Sequence, residues 1–137
     1  MFESQAFREV WTPRLLSIVR ILLGLIYLQH GLSKHFGFPG PQPANFQIVS
    51  MVGAAGAIEI VGSAMLILGL YTRWVALIIS GEMFVAYFIY ANRMAKGFFP
   101  LLNGGELEAT FCLFFFVFFL VGGGEWTLDR AMHRHER

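Results

Sequence analysis

The chain has 137 residues, 56% of them hydrophobic and only 14% charged, with a formal net charge of +1. A mean hydropathy of +0.60 places it in the membrane class, as one domain. The near-neutral charge, without a dense basic run, excludes a nucleic-acid partner, and the single cysteine, Cys112, excludes an internal disulfide and Cys-x-x-Cys exchange by this chain alone.

The first 14 residues carry Glu3, Arg8, Glu9 and Arg14. Residues 4–12 put Phe7, Val10 and Trp11 on one helical face, which fits either a short helix lying on the membrane surface or a plain tail. The apolar stretch that follows has no Ala-x-Ala-like end and reads as a retained span, not a signal peptide.

Four apolar segments predict transmembrane helices over 15–33, 49–70, 74–92 and 106–122. Each approaches the roughly 20 residues that cross a bilayer. Backbone groups must pair internally in lipid, so helices are expected throughout. The expected fold is therefore all-α, a four-transmembrane-helix bundle with both termini on the same side and no room for a soluble catalytic domain. The stretch 34–47, with Pro39, Pro41, Pro43, Gly37 and Gly40, breaks the chain between the first two helices. Tyr71-Thr72-Arg73 is short enough to make the second and third an antiparallel hairpin. Pro100 and Asn103-Gly104-Gly105 mark the last break.

Six basic residues (Arg8, Arg14, Arg73, Arg130, Arg134 and Arg137) fall on the terminus side, against Lys34, Arg93 and Lys96 on the other. That bias predicts cytoplasmic termini. Trp11, Trp74 and Trp126 fall at the same interface, as an aromatic belt does.

Charges inside the apolar segments are the chemical signal. A charge at the centre of a membrane helix costs about 2.5–3.5 kcal/mol on insertion scales, so it faces a partner or a cavity. In the first helix Arg20, Gly24, Tyr27, Gly31 and Lys34 form one stripe, flanked by His30, and the two glycines admit a close neighbour. Lys34, near the helix end, also has the option of snorkelling to water. In the second helix Glu59 shares a face with Ala55, Gly56, Gly62 and Ser63. Glu82 lies in the third helix at a similar depth. Arg20, Glu59 and Glu82 are expected to form a buried polar network, read either as a register-setting salt bridge or as a redox or proton site. Tyr27, His30, Lys34, Glu106 and Glu108 are expected to line a ligand pocket. Glu106 and Glu108 lie about 200° apart on a helix, so one faces inward toward His30 and Lys34; spacing does not choose which. The phenylalanines between 111 and 119 read as lipid contact and packing. His133-Arg134-His135 reads as solvated residues. No metal, flavin or nucleotide motif is present.

Arg20-x-x-x-Gly24 with His30-Gly31-x-x-Lys34 resembles the first helix of the DoxX family. Glu59-Ile60-Val61-Gly62 and Leu68-Gly69-Leu70-Tyr71-Thr72-Arg73 resemble its second helix and hairpin. Asn103-Gly104-Gly105-Glu106 and Gly122-Gly123-Gly124-x-x-Thr127-Leu128-Asp129 resemble its last helix and closing turn, with Thr127 where serine is usual and Glu106 at the acidic position. The resemblance implies a multi-pass protein of the bacterial inner membrane. The name-giving members are similar to a subunit of a thiosulfate:quinone oxidoreductase. Others are linked to membrane oxidoreductases with soluble redox partners, and more distant ones look like chaperones or assembly factors. The resulting expectation is a subunit that handles a quinone-like lipophilic carrier and works with a soluble redox partner. The alternatives are a non-catalytic partner or assembly subunit and, third, a small proton-coupled transporter. Membrane lipid is the expected surrounding, and a homodimer the default assembly for so small a bundle.

Overall fold

The computed structural model describes residues 4–135, and of these all side chains except those of Ala91, Asn92, Arg134 and His135. Glu3 and Arg137 lie outside the described residues. Regular structure among the described residues is entirely helical: α1 (Gln5–Phe36), α2 (Met51–Leu68), α3 (Thr72–Ile89), a 3-10 segment (Tyr90–Lys96), α4 (Pro100–Asn103), α5 (Glu106–Val121) and α6 (Leu128–His135).

α1 runs without a break for 32 residues, with Pro13 inside it. The amphipathic stretch over residues 4–12 is thus continuous with the first long helix, neither a separate helix nor a plain tail. Ser4 starts it by accepting the Phe7 N–H at 3.2 Å, as an N-cap does. Pro13 has no N–H to give the helix, and its carbonyl accepts the Ser17 hydroxyl and the Glu125 N–H, at 3.1 and 3.0 Å.

Among the described residues three helices, α1, α2 and α3, are long and apolar enough to cross a membrane. α5 has 16 residues, about 24 Å at the α-helical rise. It packs along α3, while α1 packs along α2, and these two pairs are the closest in the molecule. α2 and α3 touch less, although they are joined by the short connection at Gly69–Tyr71.

Small residues explain the α1/α2 pair. A Cβ on Gly31 would lie 2.8 Å from the Gly56 carbonyl and 2.9 Å from the Ile60 nitrogen, so only glycine lets these backbones meet. Between the pairs the core is filled by large side chains: Tyr27, Leu66, Ile79, Phe111, Phe115 and Phe118 are buried. Phe114 and Phe116 point outward, 46% and 44% exposed, which divides the phenylalanine run between packing and the outer surface.

The end of the bundle that holds the termini is tied by polar caps. Asp129, at the start of α6, accepts the N–H groups of Tyr71 and Thr72 at 2.6 and 2.9 Å and so caps α3 from a distance in sequence. Arg73 donates to the last carbonyls of α5, Phe119 and Leu120, at 2.9 and 2.8 Å. These bonds satisfy helix-end groups that have no partner in their own helix.

Candidate functional site

α2 and α3 stay together near their connection, where Ile79 occupies the space beside Gly62. Farther from the connection they part. The gap opens into a cavity of about 640 Å³ walled by α1, α2, α3, Tyr90 and the start of α5. At its edge Ile58, Ile78 and Val85 are 37%, 58% and 51% exposed, and a Cβ on Gly81 would meet nothing within 4 Å. The cavity is thus a cleft open between two apolar helices.

Its polar groups come from one helical stripe, Tyr90 and three single carboxylates, Glu59, Glu82 and Glu108. The α1 residues Arg20, Gly24, Tyr27 and Gly31 are buried, and one turn on, Lys34 reaches across the cleft. Its ammonium donates to Glu59 Oε1 at 2.5 Å, with Glu59 only 2% exposed. The Tyr27 hydroxyl donates to Glu82 Oε2. The Tyr27 ring is held edge-on by Phe111 and Phe115, at centroid distances of 5.6 and 5.3 Å. His30 meets Phe111 in the same way at 5.9 Å. Glu59 Oε2 and Glu82 Oε1 are buried and have no hydrogen-bond partner among the described residues.

Arg20 does not belong to this cleft. The sequence groups it with Glu59 and Glu82; the structure separates them. Its guanidinium donates to the carbonyls of Leu66 and Trp126, each at 2.7 Å, and to that of Gly123. The physical reason is depth. Arg20 lies level with Leu66, seven residues beyond Glu59 along α2, or about 10 Å of helix. The carbonyls of Leu66, at the end of α2, and of Gly123 and Trp126, in the turn before α6, offer closer acceptors. Arg20 therefore pins α2 to that turn. A Cβ on Gly124 (φ +91°) would come within 2.4 Å of the Pro13 carbonyl, which keeps the turn tight against α1.

The choice between Glu106 and Glu108 falls on Glu108. It lines the cleft and pairs with Arg93, whose Nη2 and Nη1 reach its two oxygens at 2.8 and 2.5 Å. The hydrogen bond to Glu108 raises the pKa of Arg93 against the opposing effect of burial, and the guanidinium stays cationic. Glu106 is exposed and outside the cleft. His30 and Lys34 share the cleft with Glu108, but its direct partner comes from the 3-10 segment. Two residues of this region carry more than sequence spacing suggests. Arg93 reads in sequence only as an outer-end charge. Asn103 reads only as part of a turn signal; buried, it donates to the Tyr87 hydroxyl and the Gly97 carbonyl, each at 3.1 Å, and accepts the Gly105 N–H at 2.8 Å. It thereby holds the 3-10 segment and α4 against α3. Of His133-Arg134-His135, the side chains of Arg134 and His135 lie outside the described residues.

The DoxX family model matches residues 15–92, more than half of the chain. The chain belongs to the DoxX family. An uncharacterized protein of Haemophilus influenzae is 42% identical to it over 130 residues, covering 92% of this chain and 96% of that protein. An uncharacterized membrane protein of Mycobacterium tuberculosis is 26% identical over 131 residues, covering 85% of this chain and 80% of its own. No solved structure matches the chain. The matched segment contains Arg20, Tyr27, His30, Lys34, Glu59 and Glu82, so three walls of the cleft lie in the DoxX region, whereas Glu108 lies beyond it.

Proposed function

We propose that this DoxX-family membrane protein is a subunit of a membrane oxidoreductase system and receives the head group of a quinone-like lipid carrier in the cleft between α2 and α3. The observation that carries this reading is the cleft itself: apolar at its edge, polar at its back, and opening between helices rather than at an end of the bundle. A volume of about 640 Å³ suits a small head group, since ligand pockets run roughly 300–1,000 Å³. Exposed Ile58, Ile78 and Val85 suit an isoprenoid or alkyl tail in contact with lipid.

The donor set suits the group as well. Lys34, Tyr27 and His30 stand on one wall, and Glu59 and Glu82 each keep one buried oxygen for a ligand. A bound quinone would supply a couple of two electrons and two protons. The electrons need a redox partner protein, docked at the membrane surface. The chain's own residues hold protons: the Tyr27–Glu82 and Lys34–Glu59 pairs are two adjacent donor–acceptor units in a shielded wall. In this reading α5 is the fourth span and the termini are cytoplasmic, in a bacterial inner membrane.

The test is purification in mild detergent, lipid extraction and quantification of quinone, followed by titration with a short-chain quinone. Copurification and saturable binding, both lost in Gly81→Leu, are the expected results; no quinone in the extract and no binding on titration would end this reading. A second reading, a non-catalytic partner or assembly subunit, draws on Arg20, Arg73 and Asp129, whose hydrogen bonds go to backbone groups alone. In that case Glu82→Gln would change complex assembly and leave no redox phenotype.

A further inference from the structure

We infer that the cleft is a proton half-channel. Its Tyr27–Glu82 and Lys34–Glu59 pairs exchange protons with water on the face of the bundle opposite the termini, past the Arg93–Glu108 pair as a gate, and not with the terminus face. The route holds for any molecule the cleft receives, so it goes beyond carrier binding and stands or fails separately from it.

The lining of the cleft is one-sided. On α1 it runs from Tyr27 toward the helix end at Lys34, and on α2 from the helix start at Met51 to Glu59. On α3 it runs from Ile78 to Ile89 and on into Tyr90, and on α5 it takes only the first turns, Leu107 to Phe111. All four stretches lie in the half of the bundle away from the termini. The polar groups form a series in the same direction. Glu59 is eight residues inside the start of α2 and Glu82 seven inside the end of α3, about 10–12 Å of helix. Lys34 stands nearer that end, its side chain 19% exposed, with His30 one turn behind it on the same wall. Arg93, beyond the end of α3, and Glu108, in the first turn of α5, stand outermost, paired at 2.5 Å with side chains 11% and 16% exposed.

The two ends of the cleft are closed by different chemistry. A proton passes between positioned side chains or through a water between them; hydrocarbon offers it neither. Away from the termini the closure is the Arg93–Glu108 ion pair, whose polar atoms reach toward both the cleft and the surface. Toward the termini the next layer is Leu66, Ala76, Ile79 and Phe115, each 0% exposed. Ser80, in the same layer, gives its hydroxyl proton to the Cys112 carbonyl at 2.8 Å. Beyond it the next charged groups on the spans are Arg20 and Arg73, and both guanidiniums are committed to backbone carbonyls. The polar series therefore continues to one face and stops short of the other.

The experiment places single cysteines in the full chain, in a Cys112→Ser background, and follows their alkylation by N-ethylmaleimide in sealed vesicles of one orientation, with inner and outer pH set independently. The thiolate is the nucleophile, so the rate reports the proton equilibrium at each cysteine. Ala44→Cys and Arg130→Cys, both at exposed positions outside the spans, report the media on the far and the terminus face. Ala55→Cys and Ala86→Cys probe the α2 and α3 walls of the cleft. In protein that keeps its helical circular dichroism, both cleft rates are expected to rise with the pH of the medium that governs Ala44→Cys and to ignore the other medium. Replacing Arg93 and Glu108 together by alanine is expected to raise both cleft rates several-fold and leave Arg130→Cys unchanged; where that double variant does not fold, Glu108→Gln is read in its place. Cleft rates that follow the terminus-side pH, or both media, would overturn the half-channel. Cleft cysteines that stay unreactive at every pH at which Ala44→Cys reacts would overturn it as well. Cleft rates unchanged by loss of the ion pair would overturn the gate.

Discussion

Lys34 and Glu59 make the clearest energetic statement at the scale of single residues. Glu59 is 2% exposed and its partner ammonium lies 2.5 Å away. Removing one member leaves a buried charge without compensation, a loss of about 3–5 kcal/mol, while replacing both by apolar residues is often neutral. Lys34→Met is therefore expected to lower the unfolding midpoint in detergent sharply, and Lys34→Met with Glu59→Met to restore most of it. Failure of the double replacement to recover stability would mean that the pair is not the source of the loss. Arg20 makes a different statement. It donates to carbonyls from α2 and from the turn before α6 through a planar fork, which lysine cannot reproduce. Arg20→Lys is expected to destabilise the bundle while leaving the affinity of the folded fraction for a cleft ligand unchanged, because Arg20 is not part of the cleft wall.

Two glycines separate packing from access at the scale of the helix. Gly31 sits where α1 and α2 touch, and a Cβ there would meet backbone at 2.8 and 2.9 Å. Backbone cannot swing aside as a flexible side-chain end can. Gly31→Ala is expected to lower folded yield measurably. Gly81, at the mouth of the cleft, has nothing within 4 Å of a Cβ. Gly81→Ala is expected to be neutral or stabilising by about 0.5–1 kcal/mol, since glycine within a helix carries an entropic cost. Thermal unfolding of the two variants side by side checks the contrast; equal losses would refute it. α1 is instructive in another way. The inward stripe Arg20, Gly24, Tyr27, Gly31 was legible because helical period is a local property. Its true start at Gln5 was not, because the charges of Arg8, Glu9 and Arg14 put the apolar span at 15–33, whereas the helix runs on through Pro13 without a break.

The whole molecule is two close helix pairs, α1/α2 and α3/α5, with a cleft where α2 and α3 diverge. Trp11, Trp74 and Trp126 are all partly exposed near the end that carries the termini. The basic excess on that end predicts a cytoplasmic location. Reporter fusions after Arg130 and within the connection at Pro39–Pro43 are expected to report opposite sides, the first cytoplasmic. Reports from one side would remove the four-span arrangement and leave α5, about 24 Å long, as a helix that does not cross.

By itself the sequence determined the all-helical character, the long apolar helices, the inward stripe of α1 and the small-residue face of α2. These follow from local periodicity and from the cost of placing charge in lipid, which any neighbour would have to answer. Tertiary structure alone decided which partner each charge found. Glu108 rather than Glu106 turned inward because Arg93 was within reach, 15 residues away in sequence. Arg20 went to backbone carbonyls, which no residue pattern displays, because they lay at its own depth. Even the cleft is a product of helix crossing: α2 and α3 meet at Gly62 and Ile79 and then diverge, and the angle between two rods is a property of neither one alone.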